Sequence, residues 1–160
     1  MSDSHAGTTP EIQTDLHKHP GFQSDYLEEP RDLVVYLPPG YEQDTDRRYP
    51  VLYLHDGQNL FEGATAFVPG QDWHVSDTAD ERIRAGRVEP VVIVGIYNTG
   101  KHRVDEYTPT RDRKQGAGGA AALYGQMLTR EVKPFIDRTY RTLPDPANTG
   151  LGGSSLGGLV

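Results

Sequence analysis

Apolar positions along this 160-residue chain cluster into short runs, each closed by turn-forming residues, and the stretches between them repeat at helical spacing. Leu33 to Leu37 (LVVYL) is β-branched and aromatic and stops at Pro38, Pro39 and Gly40, which cannot extend a strand. Val51 to Leu54 repeats that plan before a turn carrying Asp56, Gly57 and Asn59. A third run, PVVIVGIYN, is the most apolar, and its lack of alternation predicts a strand covered on both faces, as in a parallel sheet. A short fourth strand is predicted from Asn148 to Gly152.

Two segments read as helices. SDTADERIRAG offers Ser76 as an N-cap, acids in its first turns and Gly86 as a stop. From Ala120 to Tyr140, Tyr124, Met127, Leu128, Val132, Phe135, Ile136 and Tyr140 recur at spacings of three and four, so they share one face. Pro134 falls inside that stretch and predicts a kink or a break between Arg130 and Lys133. Residues 110–119 form a charged, glycine-rich loop, and residues 1–21 are polar without a period and read as a mobile lead-in. The remainder, 22–160, is long enough for one domain with a core. Strands alternating with helices predict an α/β fold with right-handed crossovers and helices on both sides of the sheet.

Charge and composition narrow the function classes. The net charge of -7 is spread along the chain, which leaves no basic footprint for nucleic acid or an anionic membrane. With no cysteine, disulfides and thiolate metal sites are excluded. No stretch reaches the roughly 18 apolar residues of a membrane span, and the N-terminus lacks a basic region followed by an apolar core. A cytoplasmic protein is the expectation.

The candidate chemistry lies in GLGGSSLGG. Gly153, Ser155 and Gly157 satisfy G-x-S-x-G, with a strand before them and a helix expected to open from Leu156 after them. A serine on a tight strand-to-helix turn has strained backbone angles, and its neighbours two residues away must be small where backbone crowds them. Ser154 stands at an x position. The Leu156 amide would face a developing oxyanion. Phosphate-binding readings fail on residue identity: no lysine follows Lys133, and serine stands at 155 where a dinucleotide fingerprint needs glycine.

RDLVVYLPPGY, PVLYLHDGQNLF, VVIVGIYNTGKHRVDEYTP and GLGGSSLGG, in this order, resemble the esterase family that includes esterase D, enterochelin esterase and feruloyl esterases. The resemblance covers about residues 22–160. It implies an α/β-hydrolase fold with a mostly parallel sheet and flanking helices, a nucleophile at Ser155, and an oxyanion hole from the Leu156 amide and that of Gly57 or Gln58. It implies no cofactor, and no metal is expected. The implied reaction is hydrolysis of a small-molecule or carbohydrate-linked ester.

In such hydrolases the acid and histidine follow the serine in the chain. Only five residues follow Ser155. The expectation is an N-terminal part of an esterase domain ending after the nucleophile turn, nearly inactive alone, with Asn148–Gly152 as a sheet edge open to self-association. Among upstream histidines, His55 is expected to hold the oxyanion loop, His74 to pack, and His17 and His19 to be solvated. Arg103 follows a strand end and could position a carboxylate or phosphate, although an ion pair with Asp105 or Glu106 is the simpler role. Trp73 and Tyr107 could contact an aromatic or sugar acyl group, or pack. Two other readings stay open: a binding module that keeps the fold without the triad, and an acyltransferase.

Overall fold

The computed structural model describes residues 15–160, whose strands are β1 (Asp15–Phe22), β2 (Arg31–Leu37), β3 (Val51–His55), β4 (Val92–Ile96), β5 (Arg111–Asp112), β6 (Ala117–Gly118) and β7 (Thr149–Gly152). Five of them form one sheet in the order β1-β2-β4-β3-β7, while β5 and β6 make a small hairpin inside the expected glycine-rich loop. The helices are α1 (Val75–Arg84), α2 (Arg103–Tyr107), α3 (Ala121–Met127) and α4 (Lys133–Thr139).

The sheet is mixed, where a mostly parallel one is expected. β3 pairs in parallel with β4 and with β7, whereas β2 is antiparallel to both β1 and β4. Connection length explains the antiparallel pairing of β1 with β2. α1 carries the chain across between β3 and β4, and α3 and α4 carry it across between β4 and β7. Only residues 23–30 join β1 to β2, fewer than the dozen or so a parallel crossover needs.

Alternation survives inside the continuous apolar runs. Leu33, Val35, Val51, Tyr53, Val92, Val94 and Ile96 point to one face and pack with Tyr124, Met127, Val132 and Ile136. Tyr36 and Ile93 point to the other face and pack with Ile83 of α1. Every residue of β4 is buried, as its pattern predicts. The apolar face of α1 is thin, and the Tyr36 hydroxyl compensates by donating to Asp80 at 2.6 Å. α1 begins one residue before Ser76, because the Val75 amide is held by the Leu60 carbonyl at 3.0 Å.

The break predicted at Pro134 takes a specific form. Leu128–Val132 is a π turn between α3 and α4. Proline lacks the N–H that an α-helix would direct to Arg130, and its ring would crowd that carbonyl, so a widened turn before it relieves both conflicts.

The lead-in expected through residue 21 does not hold for residues 15–21. Residues 15–21 belong to β1, which pairs with β2 from Asp15↔Leu37 to Phe22↔Arg31; residues 1–14 of that expectation lie outside the described part. A polar edge strand leaves little apolar pattern because its pairing runs through the backbone, and charged side chains blunt its free edge. His19, expected to be solvated, sits 2.6 Å from the Tyr140 hydroxyl and edge-on to Phe135. Among the described residues no helix is long and apolar enough to cross a membrane.

Candidate active site

The parallel strands β4, β3 and β7 end on the same side of the sheet, which brings together the loops that follow them: residues 97–102, 56–59 and 153–158. The carboxyl ends of parallel strands are where open α/β sheets bind ligands.

Gly57–Asn59, after β3, is a single 3-10 turn seated on the sheet. A Cβ on Gly57 would lie 2.6 Å from the Gly95 carbonyl carbon and 2.7 Å from the Ile96 nitrogen, so only glycine lets this loop rest on β4. Gly95 answers from below, where a Cβ would come within 3.2 Å of the Gly57 Cα. The Gln58 side-chain oxygen accepts the Asn98 amide at 3.2 Å, which ties the turn to the loop after β4.

Ser155 has φ 55°, left-handed for a residue with a side chain, and starts the 3-10 turn Ser155–Gly158 directly beyond β7. Ser154 is extended, with φ -118°. The flanking glycines have separate causes. A Cβ on Gly153 would collide with the Gly157 carbonyl, and one on Gly157 would meet Asp56 Oδ2 at 3.1 Å and the His55 Cβ at 3.2 Å. The serine turn therefore lies directly against the end of β3. Leu156, the second residue of that turn, packs at the edge of the main core.

Asp56 joins these parts. It is buried and left-handed, with φ 57° and ψ 46°. Its carboxylate accepts from Asn98 Nδ2 at 2.7 Å and from Arg103 Nε and Nη2 at 2.8 and 2.7 Å. Burial alone would raise its pKa, but the hydrogen bonds from Arg103 and Asn98 outweigh burial and hold the carboxyl below its ordinary value. Arg103 thus pairs with Asp56, and not with Asp105 or Glu106. Glu106 is taken by Arg31 in a buried bidentate pair at 2.9 and 3.0 Å.

His55 turns its ring into the core between Tyr107 and Tyr124, and its Nδ1 shares a hydrogen bond with the Tyr124 hydroxyl at 2.8 Å. Burial pushes its pKa below the ordinary value, which favours the neutral ring. That placement matches a loop-holding role. His74 is exposed at the start of α1, 3.4 Å from Asp72. Tyr107 is fully buried, so of the two roles open to it in the sequence, acyl contact or packing, it takes packing: its hydroxyl accepts the Asp56 amide at 3.3 Å. Trp73 remains half-exposed, with its backbone amide held by the Asn59 carbonyl at 2.8 Å.

Beside the oxyanion-loop candidate lies a cleft of ≈ 380 Å³ lined by Asn59, Phe67, Asn98, Gly100, Arg103 and Val104. Phe67 is its most exposed wall, at 85%, and its amide is fixed by the Asn59 side chain at 2.8 Å. Sequence reasoning passed over Phe67, which sits in an irregular loop with no period. In the sequence Asp56 reads only as a turn residue, and the one signal of more is that Asp tolerates left-handed backbone. Among the described residues no group of three His, Asp or Glu side chains is placed to hold a metal ion.

The sequence profile of the family described as "Putative esterase" matches residues 24–160. The chain is 29% identical over 135 residues to the uncharacterized protein YbbA of Bacillus subtilis, covering 81% of this chain and 48% of that one. It is 32% identical over 134 residues to an endo-1,4-beta-xylanase/feruloyl esterase of Xylanibacter ruminicola, covering 78% of this chain and 16% of that one. Among solved structures, an IroE-like serine hydrolase from Shewanella oneidensis superposes with a TM-score of 0.69 at 27% identity, covering 92% of this chain and 44% of that one. The chain therefore spans about half or less of these relatives' length.

Proposed function

The chain belongs to the Putative esterase family, and from that premise we propose that the protein is a serine-dependent carboxylic ester hydrolase that works through an acyl-enzyme on Ser155. The observation that carries the proposal is the left-handed Ser155 at the end of a parallel strand, between two glycines whose hydrogens face backbone or a fixed carboxylate. A strained serine turn of this kind lifts a hydroxyl above the sheet.

In the proposed reaction the Ser155 Oγ attacks the ester carbonyl carbon and gives its proton to a histidine. The carbonyl oxygen takes up the negative charge and accepts from the Leu156 amide and from that of Gly57 or Gln58. The histidine then protonates the departing alcohol, and water repeats the sequence to release the acid. None of the described histidines suits the base role. His55 faces the core, His19 on the far edge strand is bound to Tyr140, and His17, His74 and His102 stand beside Asp15, Asp72 and Asp105. The histidine and its acid are proposed to come from residues outside 15–160. The cleft beside the oxyanion loop, with Phe67 and Val104 as apolar walls and Asn59 and Asn98 as polar ones, suits a small-molecule or carbohydrate-linked ester.

Hydrolysis of a p-nitrophenyl ester by the full natural chain tests the reading. Ser155→Ala is expected to lower kcat by at least about 10⁴-fold, while Ser154→Ala stays within about tenfold. Undiminished turnover by Ser155→Ala would refute it.

A further inference from the structure

Asp56 makes more connections than a turn residue needs. Its amide donates to the Tyr107 hydroxyl of α2 at 3.3 Å, and its carbonyl accepts the Asn59 amide at 2.9 Å, closing the turn that holds Gly57 and Gln58. Its carboxylate reaches Asn98 beyond β4 and takes two hydrogen bonds from Arg103 on α2. The same carboxylate borders Gly157 of the serine turn, close enough that a Cβ there would sit 3.1 Å from Oδ2. One residue thus touches both halves of the proposed oxyanion hole. It does so in a left-handed conformation, which aspartate tolerates better than most residues with a side chain.

We propose that Asp56 and Arg103 form a clamp that fixes the spacing between the Gly57–Gln58 amides and the Leu156 amide, with Asp56 the positioning residue and Arg103 its counter-ion and not a substrate ligand. The inference rests on the serine-esterase reading above. Its chemistry is specific to a carboxylate. Asparagine tolerates the same left-handed backbone, so Asp56→Asn leaves the strain in place. The amide has a single acceptor oxygen, however, and in either orientation its NH₂ would face a guanidinium nitrogen of Arg103 as donor against donor, and in one of them the Asn98 amide as well. The clamp would open on one side and leave the partly buried Arg103 charge uncompensated, since the guanidinium cannot lose its proton. Arg103 also lines the substrate cleft, so the competing role, in which it binds an anionic group of the ester, is a real alternative.

Kinetics on two esters separate the roles: p-nitrophenyl acetate, which is neutral, and mono-p-nitrophenyl succinate, which carries a carboxylate. For the full natural chain, Asp56→Asn and Arg103→Met are each expected to lower kcat on both esters by about 10- to 100-fold, with KM within about threefold. The double variant should be no worse than the weaker single, and Arg103→Lys should recover part of the rate. A loss confined to KM for the succinate ester in Arg103→Met, with Asp56→Asn silent, would overturn the clamp and make Arg103 a substrate ligand. Ser155→Ala is measured alongside. If turnover survives it, the nucleophile assignment has failed, and the clamp is judged on amide hydrogen exchange, which needs no turnover. Faster exchange of residues 57–59 and 156–158 in Asp56→Asn supports it, and unchanged exchange overturns it.

Discussion

Adding one methyl group at residue 57 tests whether the loop after β3 supplies an oxyanion donor. Gly57 has an ordinary backbone, so alanine there brings no conformational strain and acts through contact alone. The new Cβ would lie 2.6 Å from the Gly95 carbonyl carbon, and reaching the 3.4 Å at which ordinary contact begins requires a shift of about 0.8 Å. The atoms it meets are main chain in a central strand, with no side chain to swing aside. The loop must therefore rise, carrying the Gly57 and Gln58 amides with it. Displacement on this scale costs about 10²-fold in rate, or about 2.7 kcal/mol of transition-state stabilisation. The global cost of overpacking is about 1–3 kcal/mol, so the protein should still fold. Gly95→Ala is the control: its Cβ would press mainly on the ends of the Leu60 and Phe61 side chains, at 3.0 and 3.1 Å, which can yield. Steady-state kinetics on a p-nitrophenyl ester, paired with urea melts, would show a large kcat loss for Gly57→Ala and a smaller one for Gly95→Ala. A folded Gly57→Ala enzyme with undiminished kcat would refute the assignment of that loop to the oxyanion hole.

Three further outcomes are expected. Arg31→Met strands the buried Glu106 carboxylate and should cost about 3–5 kcal/mol in urea unfolding, part of which Glu106→Gln restores in the double variant; a loss below about 1 kcal/mol would contradict the buried-pair account. His55 is held neutral by burial, while the unfolded chain takes up a proton near its ordinary value of about 6.5, so its contribution to stability is present above that pH and is lost as pH falls below it. His55→Gln should flatten the stability slope between pH 7.5 and 5.5, and an unchanged slope would mean that the ring protonates freely in the fold. The isolated 1–160 chain should self-associate with rising concentration in size-exclusion chromatography, because among the described residues β7 pairs only with β3 and carries Leu151 54% exposed on a strand without charges; a concentration-independent monomer would contradict this.

The legible part of the fold lay where burial writes a pattern. β2, β3 and β4 follow their apolar runs, and the face running from Tyr124 to Ile136 is one side of a helix interrupted where Pro134 requires it. β1 was not legible, because its partner is the backbone of β2 and its side chains mostly meet solvent. The sheet's mixed character depends on where strands insert, and connection length gave only part of that. Glycine spacing marked the left-handed turn at Ser155 because steric crowding leaves a trace in sequence: a Cβ on Gly153 would collide with the Gly157 carbonyl, and one on Gly157 would crowd Asp56 and His55. The partner of Arg103 was not legible. Asp105 and Glu106 are near it in the chain, yet Asp56 is brought to it by the pairing of β3 with β4. The sequence left Tyr107 open between acyl contact and packing, since a polar-tipped aromatic after a strand end can face either way, and here its hydroxyl is used by the Asp56 amide.

The most direct test of the account is the position of a covalent adduct. Treated with a fluorophosphonate and digested, the full natural chain should yield a single modified peptide with the phosphonyl group on Ser155, and Ser155→Ala should yield none. An adduct on Ser154, or labelling that persists in Ser155→Ala, would contradict the central claim.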